Sequence, residues 1–432
     1  MTGPLAIDEK LRGMAANSVG RSTREASLSD QLRRFKTHTP PPQGSKAQAR
    51  LGESLRSRCA AVLLEHFAEV DFSAGEPSQA RLASITGKLP VDLDPTLTCQ
   101  RVNDESYWKR ASLSRFPREK CLLQLHGMRW KQVFFELLLQ EQLEDCDGLE
   151  DSVAQLQELV QAAREEIFSV RFEQLPSHIA LYPILSAASN LTRLEISYGV
   201  KDIGMRYDRA LFGMKISDAT SLAKFFESSR SLTSVVLSQN ILDDDLLRLL
   251  MVGLQKSQSI THIDLSNNRI TDFGAQLISR LLSEDSIVVS VDLSNNAIQR
   301  EGARHLAREI RSNESLLKLN LRLNHLADDG CRDLVDAVAD NDTLSELSIG
   351  SNGASDASAT AIAALMRRTK CALRVLNASN NHFSAEHISS FASAMKQNKS
   401  LAHLDLRQNP GCAEGTRQSY CFCCCCLGLI FA

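Results

Sequence analysis

Residues 260–268 read ITHIDLSNN, and this nine-residue pattern occurs seven times in the chain as L-x-x-L-x-L-x-x-N, with Val, Ile or Ala at some leucine positions. Successive copies start 28, 28, 28, 28, 29 and 28 residues apart. A unit of this length accommodates one short strand and one full helix. The copies begin at Leu232, Ile260, Val288, Leu316, Leu344, Leu373 and Leu401, and they end at Asn240, Asn268, Asn296, Asn324, Asn352, Asn381 and Asn409.

In the copy at residues 260–268, apolar and polar residues alternate. This alternation predicts a strand whose leucine-type side chains point inward, while residues such as His262 and Asp264 lie on the other face. The closing asparagine has both a donor and an acceptor, so we predict that it satisfies backbone groups in the turn. Residues 271–281 have the apolar spacing of an amphipathic helix. The predicted fold is therefore α/β, a leucine-rich repeat horseshoe of the ribonuclease-inhibitor type, in which stacked neighbours supply the core and the strands line the concave side.

Composition, charge and cysteine usage are those of an ordinary globular protein and give no sign of nucleic-acid binding or secretion. The 432 residues carry a formal net charge of −3 with a pI near 6.4, which gives no support for a nucleic-acid binder. Charged and polar residues interrupt positions 1–20, so no signal peptide is expected. The cysteines before the C-terminal tail lie singly, which is typical of reduced intracellular thiols. We expect the protein in the cytoplasm or on the cytoskeleton.

Four regions are predicted along the chain. Residues 1–50 are rich in Ser, Thr, Gly and Pro and predict a disordered tail, which carries nine Lys and Arg against four Asp and Glu. This tail is either a tether to an acidic polymer such as a microtubule or simply a solvated segment. Residues 51–148 predict a helical module, residues 149–411 the repeat domain, and residues 412–432 a Cys-rich tail.

The helical module contains both tryptophans of the chain. Trp108 follows Tyr107, Trp130 starts an apolar run, and each tryptophan precedes a lysine on a predicted helix. These aromatic residues either anchor a partner or form the core of a small helical subdomain. Residues 56–67 predict a further helix, and the two prolines in residues 89–95 predict an extended connector.

Two degenerate copies of the pattern precede the regular ones. Residues 149–166 predict a helix, and strand patterns follow at Ile167 and Leu191 as units that shield the first edge of the stack. The step from Leu191 to Leu232 is 41 residues, so residues 199–208, including Tyr207, should form an inserted loop suited to specific binding.

Equivalent positions of the repeats should stack into columns on the concave face. The pattern predicts a column of acidic residues beside a column of serines, with cations toward the C-terminal half. Such a surface suits a polar protein partner, although Asp and Ser are also common fillers at these positions. The candidate partner-binding residues on this face are Arg193, Lys318, Arg322 and Arg407.

The tail after residue 420 allows three interpretations. Its run Cys423, Cys424, Cys425 and Cys426 could accept palmitoyl chains, which would bring the protein to a membrane. A metal site is the second interpretation, although the cysteines lack the paired spacing of a zinc site. The apolar run is too short to span a bilayer. The third interpretation is an unstructured segment or one that departs from the natural gene product.

No pattern for catalysis or cofactor binding occurs in the chain. A phosphate-binding G-x-x-x-x-G-K-[S/T] loop, a G-x-S-x-G elbow and an H-E-x-x-H helix are all missing from the sequence. We therefore predict a non-enzymatic protein without a cofactor or a metal.

Several motifs resemble one known family, the dynein regulatory complex subunit 5 or T-complex-associated testis-expressed family. The similarity covers about residues 85–409, and it departs at the C-terminus, where that family continues with a polar helical segment. The motifs that carry it are YGVKDIGMRY at 198–207, SLAK at 221–224, LNLRLNHL at 319–326, LPVDL at 89–93, YWKR at 107–110, WK at 130–131 and FFE at 134–136.

The resemblance implies a non-enzymatic scaffold of the nexin link in motile cilia and flagella. Its expected partners are other subunits of the complex, with axonemal microtubule or dynein components as further candidates. Its expected location is the axoneme. The repeats also resemble those of ribonuclease inhibitor and Ran GTPase-activating protein, so a cytosolic GTPase activator or enzyme inhibitor is the alternative; an activator would be expected to start its repeats near the N-terminus and to end in an acidic tail.

Overall fold

The computed structural model describes residues 86–200, 208, 211–368 and 371–412, together with the backbone of residues 421–423. The predicted tail 1–50, the helix at 56–67, most of the inserted loop with Tyr207, and Cys424 to Cys426 lie outside the described residues. The chain divides into two compact units, residues 1–115 and 116–432. The region boundaries predicted from the sequence stay predictions.

In the first unit, the described residues form helices α1 (Pro95–Arg101) and α2 (Glu105–Arg115). The prediction of an extended connector through residue 95 is wrong at its end, because Pro95 is the first residue of a helix. The Asp94 carboxylate accepts a hydrogen bond from the Thr96 backbone at 2.9 Å, and a proline at the first helical position loses no hydrogen bond.

The second unit opens with a short 3₁₀ helix at Leu123–Leu125 and helices α3 (Trp130–Glu144) and α4 (Glu150–Ala162). Helix α3 is buried on nearly all sides from residue 131 to residue 139. The Glu136 carboxylate in this helix accepts the backbone N–H groups of Phe168 and Ser169 at 2.9 and 2.7 Å. Helix α3 therefore attaches directly to the start of the sheet.

Among the described residues the sheet has ten strands in sequence order, and β1 to β9 are parallel. In each of the seven regular repeats the strand occupies only the third to fifth residues of the pattern. The last strand pairs antiparallel with β9. The strands are β1 (Ser169–Leu175), β2 (Arg193–Tyr198), β3 (Ser234–Val236), β4 (His262–Asp264), β5 (Ser290–Asp292), β6 (Lys318–Asn320), β7 (Glu346–Ser348), β8 (Val375–Asn377), β9 (His403–Asp405) and β10 (Cys421–Cys423).

One helix connects each pair of successive parallel strands, and the repeat helices pack side by side. The leucine-type positions of every repeat are buried between strand and helix, so the predicted leucine-rich repeat fold is confirmed. The connecting helices are α5 (Leu181–Leu185), α6 (Ile216–Ser228), α7 (Asp244–Leu254), α8 (Asp272–Ser279, continued by a 3₁₀ turn at Arg280–Leu282), α9 (Arg300–Ile310), α10 (Ala327–Asp340), α11 (Asp356–Met366) and α12 (Ala385–Gln397).

Candidate interaction surface

Unbroken register from β2 to β9 stacks equivalent residues of the repeats into columns on the open face of the sheet. Asp264 lies directly beside Asp292 and Asp292 beside Asn320, because β4, β5 and β6 pair without a shift. The column predicted from the sequence is therefore one continuous row of side chains. Its members are Glu195, Val236, Asp264, Asp292, Asn320, Ser348, Asn377 and Asp405.

The acidic part of this surface lies on β2, β4 and β5. Partial burial raises the pKa of Asp264, and the neighbouring Asp292 and Glu195 carboxylates raise it further, while hydrogen bonds from Ser266 oppose the shift. The Asp292 carboxylate is better compensated, because Asn320 donates to it at 2.8 Å and Ser294 donates from both backbone and hydroxyl. Asp264 therefore receives fewer compensating hydrogen bonds than Asp292 does.

Most of the candidate cations are paired with carboxylates. Arg193 contacts Glu195 at 3.1 Å, and Lys318 contacts Glu346 at 2.8 Å. Arg407 binds Asp405 through two nitrogens at 2.9 and 2.7 Å, and this contact lowers the pKa of Asp405. The Lys318–Glu346 pair is about half exposed and adds little to stability, whereas the Asp405 carboxylate beside Arg407 is buried.

Arg322 differs from the other candidate cations. Its side chain is exposed, and it forms no ion pair with any of the described residues. Backbone hydrogen bonds continue the register beyond the strands, from the Asn295 N–H to the Arg322 carbonyl and from the Leu323 N–H to the Gly350 carbonyl, so Ser294 and Gly350 hold the equivalent positions on either side of Arg322. The serine has only a small side chain and the glycine has none, so neither neighbour covers Arg322.

The aromatic candidates occupy different environments. Tyr107 and Trp108 are 1% and 0% exposed, and the indole N–H of Trp108 donates to the Val102 carbonyl at 2.9 Å. Trp130 is partly buried at the start of α3. This pair is buried as the core of a small helical subdomain would be, so a role of Tyr107 and Trp108 in partner binding would require a different conformation.

The asparagines that close the repeats form a continuous hydrogen-bond ladder. In Asn296, for example, the amide donates to the carbonyls of Leu265 and Leu293 at 3.0 Å, and its oxygen accepts the Ile270 N–H at 3.0 Å. One side chain therefore satisfies backbone groups of two successive repeats. Equivalent bonds are made by Asn240, Asn268, Asn324, Asn352, Asn381 and Asn409.

A second ladder on the helix side was missed by sequence reasoning. An aspartate in the first turn of a repeat helix accepts the backbone N–H that leads into the helix of the next repeat. A recurring aspartate just after the predicted helix start was the available signal. The pairs are Asp244 with Thr271 at 2.9 Å, Asp272 with Gln299 at 2.7 Å, Asp328 with Ser355 at 2.7 Å and Asp356 with Ser384 at 2.9 Å.

A largely buried polar cluster lies at the end of β2. The His178 ring stacks on the Tyr198 ring at 5.3 Å, and its Nδ1 lies 2.6 Å from the Asp218 carboxylate. Burial and the Asp218 charge raise the pKa of Tyr198, whose hydroxyl has no hydrogen-bond partner within the described part of the chain. The Tyr198 N–H donates to Asn240 at 2.8 Å, which connects the end of β2 to the asparagine ladder.

Metal sites and membrane-spanning helices are both absent from the described ranges. There, no group of three or more His, Cys, Asp or Glu side chains is arranged to hold a metal ion. None of the helices in those ranges combines the length and the apolarity needed to cross a bilayer.

Comparison with known proteins identifies repeat matches and relatives. The Leucine Rich repeat family matches residues 256–279 and 312–335, and a second Leucine Rich Repeat family matches residues 372–394. The tropomodulin C-terminal domain of Caenorhabditis elegans is 17% identical with a TM-score of 0.30, and the match covers 42% of this chain and 93% of that one. A likeness of this size carries no argument about function.

The curated relatives include dynein regulatory complex subunit 5 of Chlamydomonas reinhardtii, which is 38% identical over 196 residues. That match covers 45% of this chain and 50% of the relative. The mouse protein of the same name is 27% identical over 196 residues, covering 39% of each chain. The matched region thus spans half or less of the length of these relatives. The chain is a leucine-rich repeat protein related to dynein regulatory complex subunit 5.

Proposed function

We propose that this protein is a non-enzymatic subunit of a dynein regulatory complex in the axoneme of motile cilia or flagella. The observation that carries the proposal is the 38% identity over 196 residues to an algal protein of that name. The open face of the repeat sheet would dock other subunits, because a stacked repeat array offers an extended and rigid surface. Helping to regulate dynein-driven bending is the role that such docking would serve.

The geometry of the repeats supports a docking role. The asparagine ladder ties each repeat to the next, and the aspartate bonds reinforce four of these junctions, so the columns of the open face keep fixed spacings. A surface of this kind presents side chains with little loss of conformational entropy on binding. The paired charges of Lys318 and Arg407 provide polar contacts that a partner could exchange.

Fractionation of flagella tests the proposal. A tagged copy of the chain is expressed in flagellated cells that lack their own subunit 5, and flagella are extracted with detergent and then with salt. We expect the protein in the detergent-resistant axoneme, its release only at high salt, and improved swimming. Recovery in the detergent-soluble fraction would contradict the proposal and would make a GTPase-activation assay the next experiment.

A matched variant separates docking from lipid anchoring. Replacing Cys423, Cys424, Cys425 and Cys426 by serine removes every candidate acylation site of the run. We expect this variant to stay with the axoneme as the unaltered chain does. Loss of axonemal retention would instead indicate that the tail anchors the protein.

A further inference from the structure

The chain segment around one strand of the open sheet exposes two apolar and two cationic side chains that are close in sequence. Leu317 and Leu323, which flank β6, are 40% and 43% exposed, and Lys318 and Arg322 are exposed between them. We propose that these four residues, the β6 patch, anchor a partner polypeptide segment in which a carboxylate lies beside an apolar side chain. This inference rests on the proposed function, since it names the partner chemistry of the same repeat surface.

Leu323 has an unfavourable backbone conformation for its side chain. The residue before each closing asparagine is left-handed in every regular repeat, and Leu323 has a φ of 58°. This conformation suits glycine and short polar residues that bond locally, and it is unfavourable for leucine. The other six positions hold polar residues, namely Gln239, Asn267, Asn295, Ser351, Asn380 and Gln408.

Leu323 also interrupts a row of side-chain hydrogen bonds. Asn295 donates to Asn267 at 2.8 Å, and Asn380 donates to Ser351 at 2.9 Å. Leu323 lies between these two pairs and can bond to neither. Because almost half of its side chain remains in water, burial within this chain does not compensate for the strain and the interrupted row. A partner that covers Leu323 would supply that burial, which is how apolar residues act as binding anchors.

Arg322 supplies the charge of the patch. Its planar guanidinium can bind a carboxylate through two parallel hydrogen bonds, and no acidic side chain of the described residues occupies it. Gly350 beside it has no side chain, so the guanidinium is accessible from the direction of β7. Lys318 pairs with Glu346, but both side chains are half exposed, so a partner carboxylate can replace this weak contact.

The surrounding charges select a discrete acidic group over a polyanion. Asp292 lies on β5 and Glu346 on β7, the two strands that pair with β6, so negative charge borders the patch on both sides. A nucleic acid or another continuous polyanion would meet these carboxylates along its length. One carboxylate beside an apolar side chain meets only Arg322 or Lys318 and one of the leucines.

Binding of the full chain to isolated axonemes that lack subunit 5 tests the β6 patch. Leu323→Asn and Arg322→Ser each introduce the residue that the preceding repeat holds at the same position, so both variants keep the fold. We expect each variant to bind at least tenfold more weakly, and Leu323→Asn to unfold at a higher temperature than the unaltered chain. Gln239→Asn is the matched control, because it changes the equivalent left-handed position three strands away and should leave the affinity unchanged.

Site-specific crosslinking identifies the partner chemistry. A photo-crosslinking amino acid at position 323 should capture an axonemal peptide that contains Asp or Glu next to an apolar residue, and the same probe at position 239 should not. Unchanged affinity of both variants, or capture of segments without acidic residues, would overturn the β6 patch while leaving the proposed function intact. If the unaltered chain does not bind these axonemes, the proposed function fails and the patch fails with it.

Discussion

Two adjacent asparagines in the third regular repeat show that position, and not residue type, decides the role of a side chain. Asn296 is 7% exposed and bonds to the backbone of two repeats. Asn295 is exposed and makes one side-chain bond across the surface. The nine-residue pattern distinguishes them, because only the last position turns its amide into the stack.

Replacing the inner asparagine should be much more damaging than replacing the outer one. Asn296→Ala leaves the Ile270 N–H and two carbonyls without this partner, and we expect a loss of about 2 to 4 kcal/mol in the free energy of unfolding. Asn295→Gly removes the neighbouring amide without strain at its φ of 54°, and its loss should stay below about 1 kcal/mol. Urea unfolding measures both variants, and equal losses would contradict the ladder.

Asp264 should make stability depend on pH in a defined direction. Its pKa is raised in the folded protein, so ionisation opposes folding at pH values above that pKa. Asp264→Asn should therefore raise the free energy of unfolding at pH 7 by up to about 1 kcal/mol. Asn320 and Asn377 hold the equivalent position in other repeats and keep the same bond from the backbone two residues on.

The gain from Asp264→Asn should disappear in acid. Below the pKa of the unfolded chain the carboxyl is protonated in both states, so aspartic acid and asparagine then differ little. Thermal unfolding of both proteins between pH 3 and pH 8 measures this difference. Asp405→Asn is the opposite control, because Arg407 lowers the pKa of that carboxyl and its replacement should destabilise at neutral pH.

Other residue-scale features could not be predicted from the leucine pattern. The left-handed backbone before each closing asparagine depends on the turn geometry, and the pattern leaves that position open. Leu323 therefore reads as one more leucine in a leucine-rich sequence. Its exposure and its φ of 58° emerge only when the turn is placed in three dimensions.

At the scale of elements, the period predicted where strands and helices alternate but not their bounds. The regular strands are three residues long, whereas β1 and β2 extend to seven and six residues. Helix α8 ends at Ser279 and continues as a 3₁₀ turn, although the apolar spacing of residues 271–281 predicted one helix. The residue at which a helix ends depends on how the helix packs against its neighbour, and the apolar spacing carries no information about that packing.

Close packing between helices α6 and α7 depends on one glycine. A Cβ added at Gly253 would overlap the backbone carbonyl of Ala223, which cannot move without shifting helix α6. We expect Gly253→Ala to destabilise the protein by about 1 to 3 kcal/mol, even though alanine favours helix more than glycine does. Thermal unfolding measures the change.

The neighbouring residue provides the control for this substitution. Val252 is 52% exposed on the same helix, so Val252→Ala should change the free energy of unfolding by about 0.5 kcal/mol or less. A stabilising effect of Gly253→Ala would show that helix propensity outweighs the overlap, and it would contradict the close packing of α6 and α7.

At the scale of the whole repeat unit, the sequence predicted the stack but not its attachment at the first edge. The 28-residue period implies that each repeat contacts its neighbours, which gives the parallel order of the strands. Glu136 reaches residues 32 and 33 positions away, and no periodic pattern connects these residues. The sequence shows Glu136 within an apolar run, but only the folded structure shows that it binds the backbone of Phe168 and Ser169.

Glu136→Ala should loosen the array from its first strand. Glu136 is 2% exposed, accepts the N–H groups of Phe168 and Ser169, and hydrogen-bonds His126. We expect a loss of about 2 to 4 kcal/mol, since two partly buried backbone donors lose a carboxylate acceptor that is itself buried. Hydrogen exchange followed by mass spectrometry should show faster exchange in β1 and β2.

Because each repeat depends mainly on its neighbours, the increase in exchange should fade along the stack, and β7 to β9 should exchange as in the unaltered protein. Glu136→Gln keeps one acceptor oxygen and should restore part of the protection. Glu158→Ala, on the exposed side of α4, should change nothing. Uniform loss of protection from β1 to β9 in Glu136→Ala would mean that the repeats unfold as one cooperative block, and it would contradict an array held together by neighbour contacts.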